Sequence, residues 1–388
     1  MKGRTWVVGA ATAALLVLLA AADTFGRIKL VTLPRRETID VRLDRDEYTL
    51  CEEERTLNLQ QGRNKVDFSW ANTYIDKGSI QLRVVEAPGA VNILSVSYPP
   101  NEAALVWTVS SEKAGPAKMR ISYLIANFGR YYTYRAIADR EEKKMSLRCY
   151  LRMHNNTGER FLNAGIFPRV GARCEQSLEN GEAKLVLARK LANVSFDKIY
   201  EFDSSRRPET EMRYVLKNDG EHGLGEFTMP PGKVRIYQDD GRGGEAFLGE
   251  DWGATTPTGE EMKLFLGLAK DVVVKKALMS TEKFKKQGPI YDFRQVYRLS
   301  LENFKKNEVL VRLIEHPSGE WEITDKMLKV QLGEDTDPNK KEEEVRFDEQ
   351  VRFEKKDASN VIFHVKLPPT TKEKKYILYF TLYIRNLW

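Results

Sequence analysis

Apolar and polar side chains alternate along most of this chain. Thr38-Ile39-Asp40-Val41-Arg42-Leu43 alternates residue by residue, and so does Glu54-Arg55-Thr56-Leu57-Asn58-Leu59. Gln61-Gly62-Arg63-Asn64 interrupts as a turn, and Lys65-Val66-Asp67-Phe68-Ser69-Trp70 resumes. A period of two bounded by Gly and Asn marks a half-buried strand, because successive strand side chains point to opposite faces. The same pattern predicts strands over Ser79–Val85, Val91–Tyr98, Ala104–Ser110 and Lys118–Leu124. Their spacing of about ten residues suits an antiparallel sandwich. Beyond the first 22 residues there is no helical stripe longer than two turns.

The alternation continues to the C-terminus. Phe128-Gly129-Arg130-Tyr131-Tyr132-Thr133-Tyr134 reads as an aromatic-rich strand, and Met145–His154 and Asn163–Gly171 as two strands around a turn at Asn155-Asn156-Thr157-Gly158. Lys184–Leu191 is ambiguous, and Tyr214–Asn218 leads into a Gly-rich loop at Gly220–Gly225. Val234–Tyr237, a turn at Asp239-Asp240-Gly241-Arg242-Gly243-Gly244 and Ala246–Gly249 form a hairpin, since Asp and Gly supply the positive φ that such turns need. Glu260–Leu266 and Asp271–Lys276 complete that unit. The polar, Lys-rich stretch Met279–Gly288 reads as a linker. Strands are expected at Tyr291–Asn303, Val309–Glu315, Glu320–Thr324, Val345–Phe353, Val361–Leu367 and Tyr376–Ile384, with a charged loop over Glu334–Glu344.

The expected fold class is therefore all-β, a tandem of antiparallel β-sandwich domains. Residues 23–125 would form the first, 126–280 a central β domain, and 281–388 a C-terminal immunoglobulin- or fibronectin-like sandwich. No Cys…Trp…Cys pattern supports a true immunoglobulin domain.

The first 22 residues break the pattern. Lys2 and Arg4 precede an uncharged apolar run, Trp6 to Leu19, and Ala20-Ala21-Ala22 supplies small residues before Asp23. This is the layout of a secretory signal peptide, and the run falls short of the ~20 residues that span a bilayer. It places the protein outside the cytoplasm, in the periplasm or at the cell surface, with no membrane span after cleavage. Over its 388 residues the chain is 41% hydrophobic, enough to build cores, and its net charge of +6 is interspersed. A nucleic-acid partner would need clustered cations, so none is expected.

Three cysteines, Cys51, Cys149 and Cys174, allow at most one internal bridge; Cys149–Cys174 is the pair expected if one forms, and three buried thiols are the alternative. Arg130, Tyr131, Tyr132 and Tyr134 form one candidate binding surface, since rings stack on sugars or bases and Arg donates in a fork. Asp239, Asp240, Glu250 and Asp251 form the other, an acidic group that could gather at one sheet end. Glu250-Asp251 with Glu260-Glu261 has the residue types of a glycoside-cleaving carboxylate pair. Asn72, Thr73 and Asp76 read as a side-chain-capped turn. No HExxH, CxxC or GxSxG occurs, and His154, His222, His316 and His364 lie in separate predicted units, so no metal, cofactor or catalytic residue is expected. Tyr376, Leu378, Phe380, Leu382 and Ile384 alternate up to Trp388, like the closing strand of an outer-membrane barrel, but most other strands are too short for a barrel.

Three passages carry a family resemblance: LNLQQGRNKVDFSWANTYID from Leu57 to Asp76, PPGKVRIYQDDGRGGEAFLGEDWGATTPTGEEMKLFLG from Pro230, and Val296-Tyr297-Arg298-Leu299 with Glu315-His316-Pro317-Ser318-Gly319-Glu320-Trp321 near the end. Together they resemble the bacterial domain of unknown function 4139 family, the mucoidy inhibitor A-like proteins, in a form without the N-terminal coiled coil of longer relatives. One departure is Arg130, where that family usually carries Trp. The resemblance implies the strand-rich fold and brings no activity with it. The expectation is an exported envelope protein that binds or scaffolds an envelope protein or polysaccharide without catalysis, with sheet edges open to strand addition or oligomerisation. The alternative is a carbohydrate-active hydrolase using the acidic residues of the central domain.

Overall fold

The computed structural model describes residues 29–45, 48–285, 288, 290–333, 341–371 and 374–387. The expected signal segment 1–22, Trp388 and the start of the charged loop at 334–340 lie outside the described residues. The regular secondary structure of the described residues is almost entirely strand. In chain order come β1 (Lys29–Thr32), β2 (Thr38–Leu43), β3 (Thr49–Leu59), β4 (Gly62–Ser69), β5 (Gln81–Glu86), β6 (Val91–Ser97), β7 (Ala104–Ser111) and β8 (Gly115–Ile125). Next are β9 (Phe128–Ala138), β10 (Lys144–Asn155), β11 (Phe161–Pro168), β12 (Cys174–Leu178) and β13 (Ala183–Ser195). Then follow β14 (Asp197–Asp203), β15 (Glu211–Lys217), β16 (Gly232–Asp239), β17 (Glu245–Gly253), β18 (Glu261–Leu268), β19 (Val272–Lys285) and β20 (Tyr291–Asn303). The chain ends with β21 (Val309–Glu315), β22 (Glu320–Leu332), β23 (Lys341–Val345), a single helical turn α1 (Phe347–Gln350), β24 (Val351–Lys355), β25 (Val361–Leu367) and β26 (Lys374–Leu387).

Two compact units result. The first takes the described residues up to Tyr131 together with Leu151–Ala188; the second takes Tyr132–Tyr150 and everything from Arg189.

The first unit holds a four-stranded sheet, β1-β4-β7-β6, and a six-stranded sheet, β12-β11-β2-β3-β8-β5. Their inward residues make one core. Phe68 of β4 lies 5.8 Å from Trp107 of β7 and 6.0 Å from Tyr123 of β8, so one ring joins the two sheets. Cys51, Leu57, Val66, Val109, Met119 and Ile121 fill the space around it at no measurable exposure.

The second unit contains a six-stranded sheet, β18-β15-β14-β21-β25-β24, and a five-stranded sheet, β19-β20-β26-β22-β23. Tyr200, Phe202, Val272, Leu299, Val311, Leu313, Phe363, Leu378 and Phe380 form their shared core. A further sheet, ordered β13-β10-β9-β16-β17, supplies β16 and β17 and parts of its other strands to this unit.

The all-β, multi-sheet expectation holds, with several adjustments. Most ladders are antiparallel, but β1–β4, β2–β11, β9–β16 and β14–β21 are parallel. The expected divisions at 125/126 and 280/281 differ from the observed one, because the chain changes unit inside β9, β10 and β13. Nor does 281–388 close on itself: β21 pairs with β14, β20 pairs with β19, and Tyr200, Phe202, Val272 and Val274 belong to its core. Met279–Lys285 is strand rather than linker. It continues β19 against β20 as far as Lys285↔Tyr291, and Lys283 places its ammonium 3.6 Å from the Tyr291 ring. Ladder hydrogen bonds use the backbone, so a polar stretch can join a sheet edge. Lys184–Leu191 lies within the thirteen-residue β13, and Lys341–Val345 of the expected charged loop is β23, paired with β22. β26 lies between β20 and β22, and its alternating Leu378 and Phe380 face the sandwich core. The Cys149–Cys174 bridge does not form: all three cysteines are free thiols, Cys51 and Cys149 buried and Cys174 half-buried.

Candidate functional site

The aromatic run in β9 does not present one surface. Strand alternation sends Tyr132 and Tyr134 inward at 7% and 3% exposure, and the Tyr134 hydroxyl donates to the Pro230 carbonyl at 2.6 Å. Tyr131 points the other way, 40% exposed, with its ring stacked on His154 and the Arg152 guanidinium 5.7 Å away. Arg130 donates from Nη1 to Thr49 Oγ1 at 3.0 Å and from Nη2 to the carbonyls of Tyr48, at 3.3 Å, and Arg45. Those contacts hold the backbone that carries Tyr48.

The acidic residues do not gather either. Asp239 Oδ1 accepts from the Gly241 amide at 2.7 Å, and Asp240 Oδ1 from the Arg242 and Gly244 amides at 2.8 and 2.9 Å. Both carboxylates are spent on the turn between β16 and β17. Asp239 sits across from Glu245 and Glu250 across from Arg235, four residues further along β16, which separates them by roughly 13 Å of strand. Glu250 is paired with Lys233 at 2.7 Å and Arg235 at 3.5 Å; the Lys233 hydrogen bond, above all, holds its carboxyl below the usual range. Asp251, the next residue, faces the opposite side of the strand and accepts from the amides of Trp252 at 2.8 Å and Phe265 at 2.7 Å. Glu261 is engaged by Arg312 at 3.2 Å. Among the described residues, no group of three or more His, Cys, Asp or Glu side chains is placed to hold a metal ion.

A different feature has the form of a binding site. The segment after β4 is pinned residue by residue. Thr73 Oγ1 donates to the Trp70 carbonyl at 2.8 Å, and the Tyr74 amide donates to the Thr157 carbonyl at 3.0 Å. The Ala126 amide donates to the Tyr74 carbonyl at 2.9 Å and the Asp76 amide to the Leu124 carbonyl at 3.0 Å. Asp76 Oδ1 caps the following turn by accepting from the Gly78 amide at 2.9 Å, the capped turn expected of this polar cluster. Asn72 adopts φ 62°, and Gly158 packs so closely that a Cβ there would lie 1.9 Å from the Asn72 carbonyl oxygen.

The rigid segment, the end of β8 and Tyr48 just before β3 border an open hollow of about 540 Å³. Ile75, Leu124, Ile125 and Ala126 line it with apolar atoms, and Thr73 and Asp76 add polar groups. Tyr48 and Tyr74 stand on its rim, 56% and 57% exposed. Half-exposed rings beside an apolar hollow with a few polar groups form the kind of surface a ligand can cover. Neither tyrosine was singled out by sequence reasoning. Tyr74 lies within the Trp70–Asp76 passage, and an aromatic among Asn, Thr and Asp was the available signal.

The second unit carries a row of charge on the outer face of its six-stranded sheet. Glu201, Arg312, His364 and Arg352 stand directly opposite one another across β14, β21, β25 and β24. Arg213 Nε is 3.1 Å and Lys263 Nζ 3.7 Å from the Glu201 carboxylate. Burial pulls the Lys263 ammonium below its usual value, and burial likewise lowers His364, whose Nε2 lies 2.9 Å from Glu354. A cavity of about 450 Å³ overlies Arg312, His364 and Lys366, but the cations around it are balanced by Glu261, Asp348 and Glu349. Mutual pairing of this kind stabilises a sheet face and brings no nucleophile next to a base.

Among the described residues, no helix is long and apolar enough to cross a membrane. No protein-family model matches the chain, and no curated protein matches it.

Proposed function

We propose that this protein is a non-catalytic binding or scaffolding module of the cell envelope, and that its ligand site is the hollow between Tyr48 and Tyr74. The observation that carries the reading is the pair of half-exposed rings over an apolar floor, held on a segment pinned by backbone hydrogen bonds. Such a site suits a saccharide. A pyranose lays its C–H face on a ring while its hydroxyls reach groups such as Thr73 and Asp76. Export rests on the N-terminal pattern of Lys2 to Ala22, and the resemblance to the domain of unknown function 4139 family agrees with a strand-rich envelope protein. The hydrolase alternative finds less support, because Glu250 is tied to two cations and Asp251 to two backbone amides.

Calorimetric titration with envelope glycans, run beside a reducing-end assay, tests the reading. Binding without turnover is expected, weakened about tenfold by either Tyr48→Ala or Tyr74→Ala. Turnover that disappears in Glu250→Gln or Asp251→Asn would replace the binding module with a hydrolase.

A further inference from the structure

The first unit is left open along one side. β6 ends the four-stranded sheet and β5 ends the six-stranded one. These strands are consecutive, joined only by Ala87-Pro88-Gly89-Ala90, so they leave the sandwich on the same side. Their inward residues are not covered. Val96 lies opposite Trp107, which is 2% exposed, yet Val96 is 43% exposed; Ile93 lies opposite the fully buried Val109 and is 39% exposed. In the other sheet Val84 lies opposite the fully buried Met119 and is itself 37% exposed. Val85, Leu94 and Tyr98 extend the apolar surface, each about half exposed.

Natural edge strands are usually protected by charge, proline or a covering element. β6, Val91-Asn92-Ile93-Leu94-Ser95-Val96-Ser97, carries a bulge between Ile93 and Ser95 but neither charge nor proline. An apolar edge of this kind in a stable protein is expected to be occupied.

We infer that a second copy of this chain occupies it, pairing β6 with β6 and β5 with β5 across a two-fold axis. The charge pattern supports that occupant. Read antiparallel against itself, Arg83-Val84-Val85-Glu86 places Arg83 opposite the partner copy's glutamate and Val84 opposite its second valine. The bulge between Val84 and Glu86 brings Arg83 and Glu86 to the same outward face, opposite Arg120 and Lys118 of β8. Within its own strand the Arg83 guanidinium makes only a 3.5 Å contact, with Gln81. The uncharged β6 pairs with its own copy without like-charge repulsion. One axis at this side serves both edges, and each sheet then continues into the partner while Val84, Ile93 and Val96 pass from water into a shared core. A two-fold interface of this type is self-complementary by construction. The inference is independent of the tyrosine-rimmed cavity, so either can fail without the other.

Sedimentation equilibrium of the purified chain at micromolar concentration tests it, with circular dichroism confirming that each variant is folded. A dimer is expected. Arg83→Glu should raise its dissociation constant about tenfold by setting like charges opposite one another, and Arg83→Glu with Glu86→Arg should restore it. Val96→Lys should leave only monomer. A chain that stays monomeric up to about 100 µM overturns the inference and leaves a foreign strand as the occupant. A dimer indifferent to these changes, or weakened equally by the single and the reversed pair, overturns it as well.

Discussion

The Arg130 guanidinium donates to the Thr49 hydroxyl at 3.0 Å, and with the carbonyls of Tyr48 and Arg45 it fastens the backbone that presents the Tyr48 ring. The residue therefore acts on the candidate site through Tyr48 and is a positioning residue. Arg130→Ala should lower unfolding stability by about 1.5–3 kcal/mol, the range for hydrogen bonds that involve a charged group. It should also weaken saccharide binding while leaving the Tyr74 ring in place. Arg130→Lys should not rescue, because an ammonium lacks the planar fork that reaches the Thr49 hydroxyl and the two carbonyls together. Urea titration and calorimetry measure the two effects.

Gly158→Ala tests the rigidity of the same site from its other side. The position has φ +81°, and a Cβ there would meet the Asn72 carbonyl oxygen at 1.9 Å. The left-handed backbone alone costs about 1–2 kcal/mol for a residue with a Cβ, and the contact forces Asn72–Tyr74 to move. The variant is expected to unfold at lower urea and to bind more weakly, whereas Gly181→Ala, with nothing within 4 Å of its Cβ, should show only the backbone cost.

Glu201 anchors the charged row of the second unit. It is 4% exposed and faces Arg213 at 3.1 Å and Lys263 at 3.7 Å. Glu201→Ala leaves Lys263 without its carboxylate partner and Arg213 with Glu211 alone, and should destabilise by about 1–3 kcal/mol, the cost of leaving a partly buried polar group short of a partner. Chemical denaturation reads it, and replacing Arg352, which is 74% exposed in its side chain, should change little by the same measure.

His316 introduces a pH dependence. Its Nε2 lies 2.8 Å from Asp203 Oδ2 and its Nδ1 2.8 Å from Asn360 Oδ1, while the Asn360 amide nitrogen donates to Asp357. Both ring nitrogens face acceptors, which favours the imidazolium; the Asp203 hydrogen bond, first of all, raises the His316 pKa. Burial would raise the Asp203 carboxyl, but hydrogen bonds from Ser205 and His316 outweigh it and hold the group below its ordinary value. The His316 contribution is full below the unfolded histidine value of about 6.5 and is lost as pH rises through the raised folded value. The Asp203 contribution is present above the ordinary aspartate value and is lost as pH falls through the lowered one. The gap in melting temperature between the wild type and His316→Ala should therefore be widest in mildly acidic buffer and close on the alkaline side. A gap that widens with rising pH would contradict the assignment.

The thiols should separate by reactivity. Burial raises all three, Cys51 most of all and Cys149 to about 12, while Cys174 is only half-buried. Under native conditions an alkylating reagent should modify Cys174 first, and Cys51 and Cys149 should react only on unfolding, because the thiolate is the nucleophile. Mass spectrometry after timed quenching resolves the order.

Several of these features were legible in the residues. The turn at Asp239–Gly244 was, because Asp side chains that accept from amides two to four residues on are a local device. The same locality explains Thr73 and Asp76. The split within the aromatic run was hidden only by reading it as a cluster, since a period of two already sends Tyr131 to one face of β9 and Tyr132 and Tyr134 to the other. Met279–Lys285 was misread because its place at an edge is secured by backbone bonds to β20 that leave no mark on side-chain pattern.

Alternation and turn residues thus determined, without coordinates, that this is a protein of strands, where most of them begin and end, and which side chains each strand could bury. These are properties of single strands and adjacent turns. Which strands become neighbours is a different matter. Parallel partners such as β14 and β21 lie more than a hundred residues apart in sequence, and nothing local selects one distant edge over another. Only the tertiary structure decided that Arg130 spends its donors on the Tyr48 backbone, that Glu250 and Asp251 face apart, and that Tyr48 and Tyr74 share one hollow. A site built by side chains from separate strands exists only once long-range pairing and core packing have brought those strands together.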